Sequence, residues 1–431
     1  MWRERPLGNL AAINSGGTPS TDRAEFWGGD IPWVTPTDIT ACKTNYLFDT
    51  ANRITKIGLN SCSAKLLPAG SILFTSRATV GVSRIAGIPV CTNQGFKSLT
   101  PATDTDGKFL FYQVQRLRGA FERYAAGSTF PEINKKDTAR VLIPHPTDIR
   151  AQQKIAAILS TIDTAIEQTE ALIEKYQHIK AGLMHDLFTR GVLPNGQLRP
   201  PRDQAPELYQ ETAIGWIPRE WRLRPLGEMA SIVSGVTLGA KTGPTDTIDA
   251  PYLRVANVQD GYLNLSEIKT VRISPKTLEQ LRLEPGDVLM NEGGDFDKLG
   301  RGAVWQGEIE NCVHQNHVFR VRCNAGTLLP TFLAFFSEST FGKKYFVMSS
   351  KQSTNLASIN STQLKAYPIA VPPLTEQAAI TLHVHRAKYR QDTLKAEATK
   401  LQTQKLGLMQ DLLTGKVPVV VNSSDNAAHA P

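Results

Sequence analysis

Most of this chain is a tandem duplication, so any fold it adopts must be assembled from two similar halves. Trp2-Arg3-Glu4-Arg5-Pro6-Leu7-Gly8 returns as Trp221-Arg222-Leu223-Arg224-Pro225-Leu226-Gly227. Up to Thr18 and Thr237, eleven of seventeen aligned residues are identical at an offset of 219. The ends of the halves also agree. Lys180-Ala181-Gly182-Leu183-Met184-His185-Asp186-Leu187-Phe188-Thr189 returns as Lys405-Leu406-Gly407-Leu408-Met409-Gln410-Asp411-Leu412-Leu413-Thr414, at an offset of 225. A period this long is a duplicated domain, not a solenoid repeat of about 20–50 residues. A protein with two similar halves can treat its target as two similar halves.

Each half changes character part-way. Residues 1–147 and 223–374 are rich in Gly, Pro, Thr and short apolar runs. Ile31-Pro32-Trp33-Val34, Gly70-Ser71-Ile72-Leu73-Phe74 and Tyr252-Leu253-Arg254-Val255 read as short strands between turns, and Phe109–Tyr124 and Thr331–Phe346 as helices against them. The class is α+β. The following stretches, 148–192 and 375–417, read as long helices that each begin after a proline stop, Pro144-His145-Pro146 and Pro372-Pro373. In the first, apolar residues recur at Ile155, Leu159, Ile162, Ile166, Leu172, Tyr176, Ile179 and Leu183. Steps of three and four mark a coiled-coil seam. About 40 residues at 1.5 Å each make a rod of roughly 60 Å. The second helix carries Ile380, Val384, Leu394, Ala398, Leu401, Leu408 and Leu412, with His383, Arg390 and Gln391 weakening the stripe. Residues 193–222 form a Pro- and Gly-dense linker, and 418–431 a tail expected to be disordered. The order globule–rod–globule–rod requires paired rods to run antiparallel, which brings the Trp2 block to the C-terminal end of the second rod.

The bulk numbers narrow the function. The net charge of +8 favours a polyanionic partner. No run of eighteen apolar residues and no basic-then-apolar leader appears, so the expected location is the cytoplasm, away from membranes. Five cysteines (Cys42, Cys62, Cys91, Cys312, Cys323) without C-x-x-C spacing argue against a disulfide framework or a zinc site. Catalytic signals stay at chance level. Glu267-Ile268-Lys269 lacks the Pro-Asp that would make it a nuclease motif. Val371-Pro372-Pro373-Leu374 lacks the flanking residues of an adenine methyltransferase and matches a helix start. Gly293-Gly294 with Gly300 and Gly302 is not a P-loop, although Lys298 and Arg301 could meet phosphates there. The chain reads as non-catalytic.

Three features together resemble the specificity subunits of type I restriction–modification systems. One is Gly127-Ser128-Thr129…Ile133-Asn134, repeated as Ser353-Thr354…Ile359-Asn360 and followed by a long helix opening with Gln152 or Gln377. The second is the helix ending Gly-Leu-Met-x-Asp-Leu-x-Thr in both copies. The third is Ile214-Gly215-Trp216-Ile217-Pro218 leading into Leu226-Gly227. The first copy has Ala151-Gln152 where Glu-Gln is usual. The resemblance runs from Trp2 to about Val417. It implies two pseudo-symmetric α/β target recognition domains separated by two long antiparallel coiled-coil helices. Each domain would read one half of a split, asymmetric target in double-stranded DNA, and the helices would act as spacer and dock. It also implies two methyltransferase subunits as partners, with restriction subunits joining through the complex. S-adenosylmethionine would bind the methyltransferase, ATP and magnesium the restriction subunit, and no cofactor this chain.

The candidate DNA-contacting residues are Arg77, Arg84, Asn93, Gln94, Lys97, Ser128, Thr129 and Lys135 in the first globule. In the second they are Lys298, Arg301, His314, Gln315, His317, Lys351, Ser353 and Thr354. Gln94 and Gln315 occupy matching places after Cys91 and Cys312, and a glutamine can pair bidentately with adenine. Turn or capping roles for Ser128-Thr129 and Ser353-Thr354 are equally open. Leu183, Met184, Leu187, Leu408, Met409 and Leu412, one patch made twice, are the candidate partner-binding residues. A bilobed scaffold without sequence reading and a stand-alone DNA-modifying enzyme are the alternative functions.

Overall fold

The computed structural model describes residues 1–77, 79–125, 131–239, 247–294, 299–300, 302–352 and 357–421. The chain forms two compact units, one of Met1–Ile173 with Thr393–Pro431 and one of Glu174–Asp392. Each unit therefore holds one globule, the first part of the helix that follows it and the last part of the other long helix.

The two globules share a topology of small sheets. In the first unit Ala11–Ser15, Lys97–Pro101, Ile72–Phe74, Ser83–Ala86 and Tyr46–Leu47 lie side by side in that order. In the second, Ala230–Ser234, Val318–Cys323, Val288–Asn291 and Gly302–Val304 repeat the first four. A three-stranded sheet of Asn52–Ile54, Trp27–Val34 and Cys91–Thr92 has its counterpart in Lys269–Ile273, Ile248–Leu253 and Val313–His314. The parallel pair in each, Trp33 with Cys91 and Tyr252 with Val313, sets the register between the copies. The duplicated Trp-Arg-x-Arg-Pro block becomes an edge strand. Trp2–Pro6 pairs with Leu142–Pro146, and Arg222–Pro225 with Pro368–Val371.

Each aromatic stretch folds as two helices, Gly107–Arg116 with Arg118–Ala125 and Pro330–Glu338 with Thr340–Ser349. Asp106 caps the first by accepting a hydrogen bond from the Phe109 amide. Phe109, Leu110 and Phe121 are buried, as are Phe332, Leu333 and Phe336. Each such phenylalanine contributes roughly 1.5–3 kcal/mol.

The long helices span Ile149–Thr189 and Leu374–Leu412. They run antiparallel within each unit. In the first, Ile155, Ala156 and Leu159 share a core with Met409, Leu412 and Leu413, while Asp163 meets Lys405 at 2.6 Å and Glu170 meets Gln402 at 3.0 Å. In the second, Met184, Leu187 and Phe188 share a core with Ile380 and Val384, and Arg390 lies over the Tyr176 ring. Both helices end in a left-handed glycine (Gly191, φ 67°; Gly415, φ 75°) packed on a tryptophan of the duplicated block, Trp221 or Trp2. The Trp2 block thus lies at the end of the second helix, as the chain order requires.

Three expectations need correction. Leu172 and Ile179 are exposed, while the polar Asp163 and Thr169 on the same helix are buried. The segment 193–222, expected as a Pro- and Gly-dense linker, is ordered. It carries the hairpin Tyr209–Thr212 with Gly215–Pro218, and Ile217, Tyr209 and Arg199 are buried. Arg199 is tied to Glu376 at the start of the second helix and to Glu220 at 2.5 Å. In the tail, Val419 packs against the first unit's core, and 422–431 lie outside the described residues.

The glutamine that opens each long helix explains why both copies retain it. Gln152 is buried, accepts from the Asp106 amide at 2.8 Å and donates to the Pro146 carbonyl at 3.0 Å. Gln377 is buried, accepts from the Leu329 amide at 2.8 Å and donates to the Pro372 carbonyl at 3.0 Å. One side chain thus joins three segments in each unit: the helix start, the strand before it and the loop that launches the aromatic helix.

Candidate nucleic-acid interface

In each unit four loops are drawn together by backbone hydrogen bonds that repeat residue for residue. Gly17 donates to the Thr92 carbonyl at 2.9 Å as Val236 does to His314 at 2.7 Å. Asn93 donates to Val34 at 3.0 Å as Gln315 does to Leu253 at 2.9 Å. Ser76 donates to Gly95 at 2.7 Å as Glu292 does to His317 at 3.0 Å. Ile133 donates to Ser76 at 3.0 Å as Ile359 does to Glu292 at 2.8 Å. The repeated Ser-Gly-x-Thr is legible here. A Cβ on Gly16 would collide with the Asn93 carbonyl, and one on Gly235 with the His314 carbonyl, so only glycine lets these loops close.

The backbone is duplicated but the side chains are not. Asn93 stands where Gln315 does, Gln94 where Asn316 does, and Gly95 where His317 does. Ser76 matches Glu292, and the Arg77–Glu132 bridge matches the Gly293–Ser358 pair. This register corrects the matching of Gln94 with Gln315. Counting from the cysteines slips by one residue, because Cys91 pairs in the sheet where Val313 does.

The candidates divide by environment. Gln94 is exposed and its side-chain carbonyl accepts from Thr18. Arg77 is exposed and ion-paired to Glu132 at 2.8 Å, and Lys135 is exposed at the start of the helix Lys135–Arg140. His317 is exposed and meets Glu292 at 2.6 Å, while Gln315 is half-buried. These lie on the loop cluster. Others are occupied elsewhere. The Arg84 guanidinium donates to the carbonyls of Ser83 and Cys42, which makes it a strand-edge tie. Lys97 is buried beside Ser76 Oγ (3.3 Å) and Glu132 (3.6 Å), and burial holds its ammonium below the ordinary lysine range. Asn93 accepts from the Gly95 amide and closes a turn.

His314 is fully buried and pushed down to about 4 by that burial, so its neutral ring donates Nδ1–H to the Val318 carbonyl at 2.6 Å. Arg84, Lys97 and His314 are held within the fold, and Asn93, half-buried, has its side-chain oxygen engaged, which a sequence of polar residues at strand ends does not reveal. The loop cluster also contains Thr18, Glu132, Glu292 and Asn316, none of them a sequence candidate, and the buried Ser76 beneath them. Only Thr18 carried a signal, the identity with Thr237. Ser128, Thr129, Lys298, Arg301, Ser353 and Thr354 lie outside the described residues, and of Lys351 only the backbone, in a short strand, is described.

The partner-binding candidates are corrected in the same way. Met184 and Leu187 belong to the core of the second unit, Met409 and Leu412 to that of the first, and Leu183 and Leu408 are half-buried against those cores. Their repetition reflects a repeated packing role. Among the described residues no cluster of three or more His, Cys, Asp or Glu could hold a metal ion, and no helix is long and apolar enough to cross a membrane.

Both halves of the chain match a known family. The family model of the type I restriction modification DNA specificity domain fits residues 1–176 and again 218–400. The chain belongs to that family. It is 30% identical over 262 residues to the type I restriction enzyme MjaIX specificity subunit of Methanocaldococcus jannaschii, covering 60% of this chain and 59% of that one. With the putative MjaX specificity subunit of the same organism it shares 28% over 210 residues, 48% of this chain and 49% of that one. The chain's matches thus span about half to three-fifths of these relatives. The StySPI specificity subunit of Salmonella potsdam is 23% identical across 96% of this chain and 87% of that subunit. The crystal structure of a type I restriction–modification S subunit from M. genitalium shares the fold at a TM-score of 0.56 and 16% identity, over 98% of this chain and 97% of that one.

Proposed function

We propose that this chain is the non-catalytic, sequence-reading subunit of a type I restriction–modification complex. Each globule reads one short word of a split target in double-stranded DNA. The observation that carries this reading is the loop cluster built twice on one backbone lacing with different side chains at equivalent places. Sequence is read by side chains at base edges, while Lys, Arg and backbone donors hold phosphates. One scaffold with Gln94 in one copy and Asn316 in the other, or Gly95 and His317, is suited to two unlike words, so the target is asymmetric. Two methyltransferase subunits, which carry S-adenosylmethionine, join it, and restriction subunits using ATP and magnesium join through them. The role places the chain in the cytoplasm with the chromosome. Co-expression with the methyltransferase gene followed by genome-wide mapping of methylated adenines tests this. The expected result is one split, non-palindromic motif. Methylation at unsplit or random sites, or methyl transfer by the purified chain alone, would refute it.

A further inference from the structure

The junction between each globule and its helices is built from equivalent residues whose polarity is inverted. In the first unit the helix residue is the buried Asp163. It accepts hydrogen bonds from Tyr112 Oη and Asn45 Nδ2, both at 2.6 Å, and meets Lys405 Nζ at 2.6 Å. The helix offset of 225, anchored by Gln152 and Gln377, puts Lys388 at the place of Asp163 and Lys180 at the place of Lys405. The offset of 223 between Asp106 and Leu329, both held by those glutamines, puts Phe335 at Tyr112 and Glu338 at Gln115. The Tyr-Leu pair that follows Asn45 recurs after Gly261 as Tyr262-Leu263, which aligns Gly261 with Asn45 in sequence although the two short strands pair differently.

Every exchange follows the change of sign. Lys388 donates to the Gly261 carbonyl at 2.6 Å, and Lys180 pairs with Glu338 at 3.5 Å. Phe335 has no hydroxyl, and its ring meets His385, which replaces the Ser160 that lies 3.2 Å from Tyr112 Oη. A side chain at 261 would sit on a left-handed backbone (φ 70°) and displace the ends of Glu338 and Lys388, since a Cβ would stand 2.5 Å from Glu338 Oε1 and 3.1 Å from Lys388 Nζ. One helical seat thus presents an acid and a lysine to a globule whose direct hydrogen bonds to the acid come from the neutral Tyr112 and Asn45, with Lys43 and Lys108 lining the same clefts. The other presents two lysines to a globule with an acid and a carbonyl. On the wrong seat, Glu338 would compete with Asp163 for the single lysine Lys405, or Lys180 and Lys388 would face Tyr112 and Gln115 without Glu338. The first mismatch leaves one buried acid without its own lysine, and the second leaves two half-buried lysines without an acid from the globule.

We propose that Asp163 and Lys388 are positioning residues whose opposite charges decide which recognition globule each helical seat accepts. This rests on reading the globules as recognition modules, but its test does not. In the full-length chain, Asp163→Lys forms one variant and the globule-side set Asn45→Gly, Tyr112→Phe and Gln115→Glu a second, and a third combines them. Thermal unfolding is followed by calorimetry, with hydrogen exchange at Gly107–Arg116 reporting on the first unit. Each single set should lower the first unit's midpoint by roughly 6 °C or more. The combined chain, now patterned like the second unit, should recover at least half of the summed loss. Additive losses, or a combined chain that stays unfolded, would overturn the proposal. Recovery in a protein whose parent shows no preference for a split DNA site would instead overturn the DNA-reading function and leave the charge code standing.

Discussion

Replacing Gln377 by methionine keeps the side chain's length and removes its polar end, which isolates what the hydrogen bonds contribute. Three are lost: from the Leu329 amide at 2.8 Å, and to the Thr327 and Pro372 carbonyls, each at 3.0 Å. A typical intramolecular hydrogen bond contributes about 1 kcal/mol net, and buried groups left unpaired raise the cost. The expected loss is about 3 kcal/mol. For a unit of 219 residues, at about 2–4 °C per kcal/mol, its midpoint should fall by about 6–12 °C. Gln152→Met should do the same to the first unit, where the bonds are from Asp106 at 2.8 Å and to Pro146 at 3.0 Å and Asp104 at 3.3 Å. Calorimetry measures the fall, and hydrogen exchange at Pro330–Glu338 and Gly107–Arg116 assigns it to a unit. A fall below about 2 °C, or equal loss of protection in both units from one substitution, would refute the claim that each glutamine staples its own unit.

Acidification should destabilise the second unit through His314. Its folded value near 4 lies below the ordinary 6.5, so the stability present above pH 6.5 is lost as pH falls through 4, by about 3 kcal/mol. Urea unfolding against pH should show that slope, and His314→Asn should flatten it. Gly235→Ala should unfold the second unit and Gly16→Ala the first, since each added methyl meets a backbone carbonyl. Near-UV circular dichroism of the purified variants checks this. On DNA, Gln94→Ala should relax one base position of one half-site at about 1–3 kcal/mol. Lys135→Ala should weaken binding to all sequences alike and flatten the salt slope by about one unit if that residue meets a phosphate. Competition binding against selected and random duplexes separates the two outcomes.

The duplication, the α+β globules, the two long helices and the family were legible in the residues because each is a local or repeated pattern. Trp2 with Trp221, Gln152 with Gln377 and the Leu-Met helix ends announced themselves by identity alone. What identity could not reveal was the purpose of each repeated residue. Met184 and Met409 repeat because two cores need the same plug, and Gln152 and Gln377 repeat because three segments meet at each.

Polarity was the poorer guide to site residues. Arg84, Lys97 and His314 carry groups that could contact DNA, yet fold inward onto carbonyls, a carboxylate and a strand. Whether a polar side chain faces a ligand or a neighbouring strand depends on non-local pairing. A slip of one residue, such as the one that matched Gln94 with Gln315, changes which side chains share a place. The inverted junctions at Asp163 and Lys388 lay beyond sequence for the same reason. Asp163's partners Asn45, Tyr112 and Lys405, Lys388's partner Gly261 and the neighbouring Lys180–Glu338 pair come from segments far apart in the chain. Only the folded backbone brings opposite charges and donors to one point, where burial makes their signs matter.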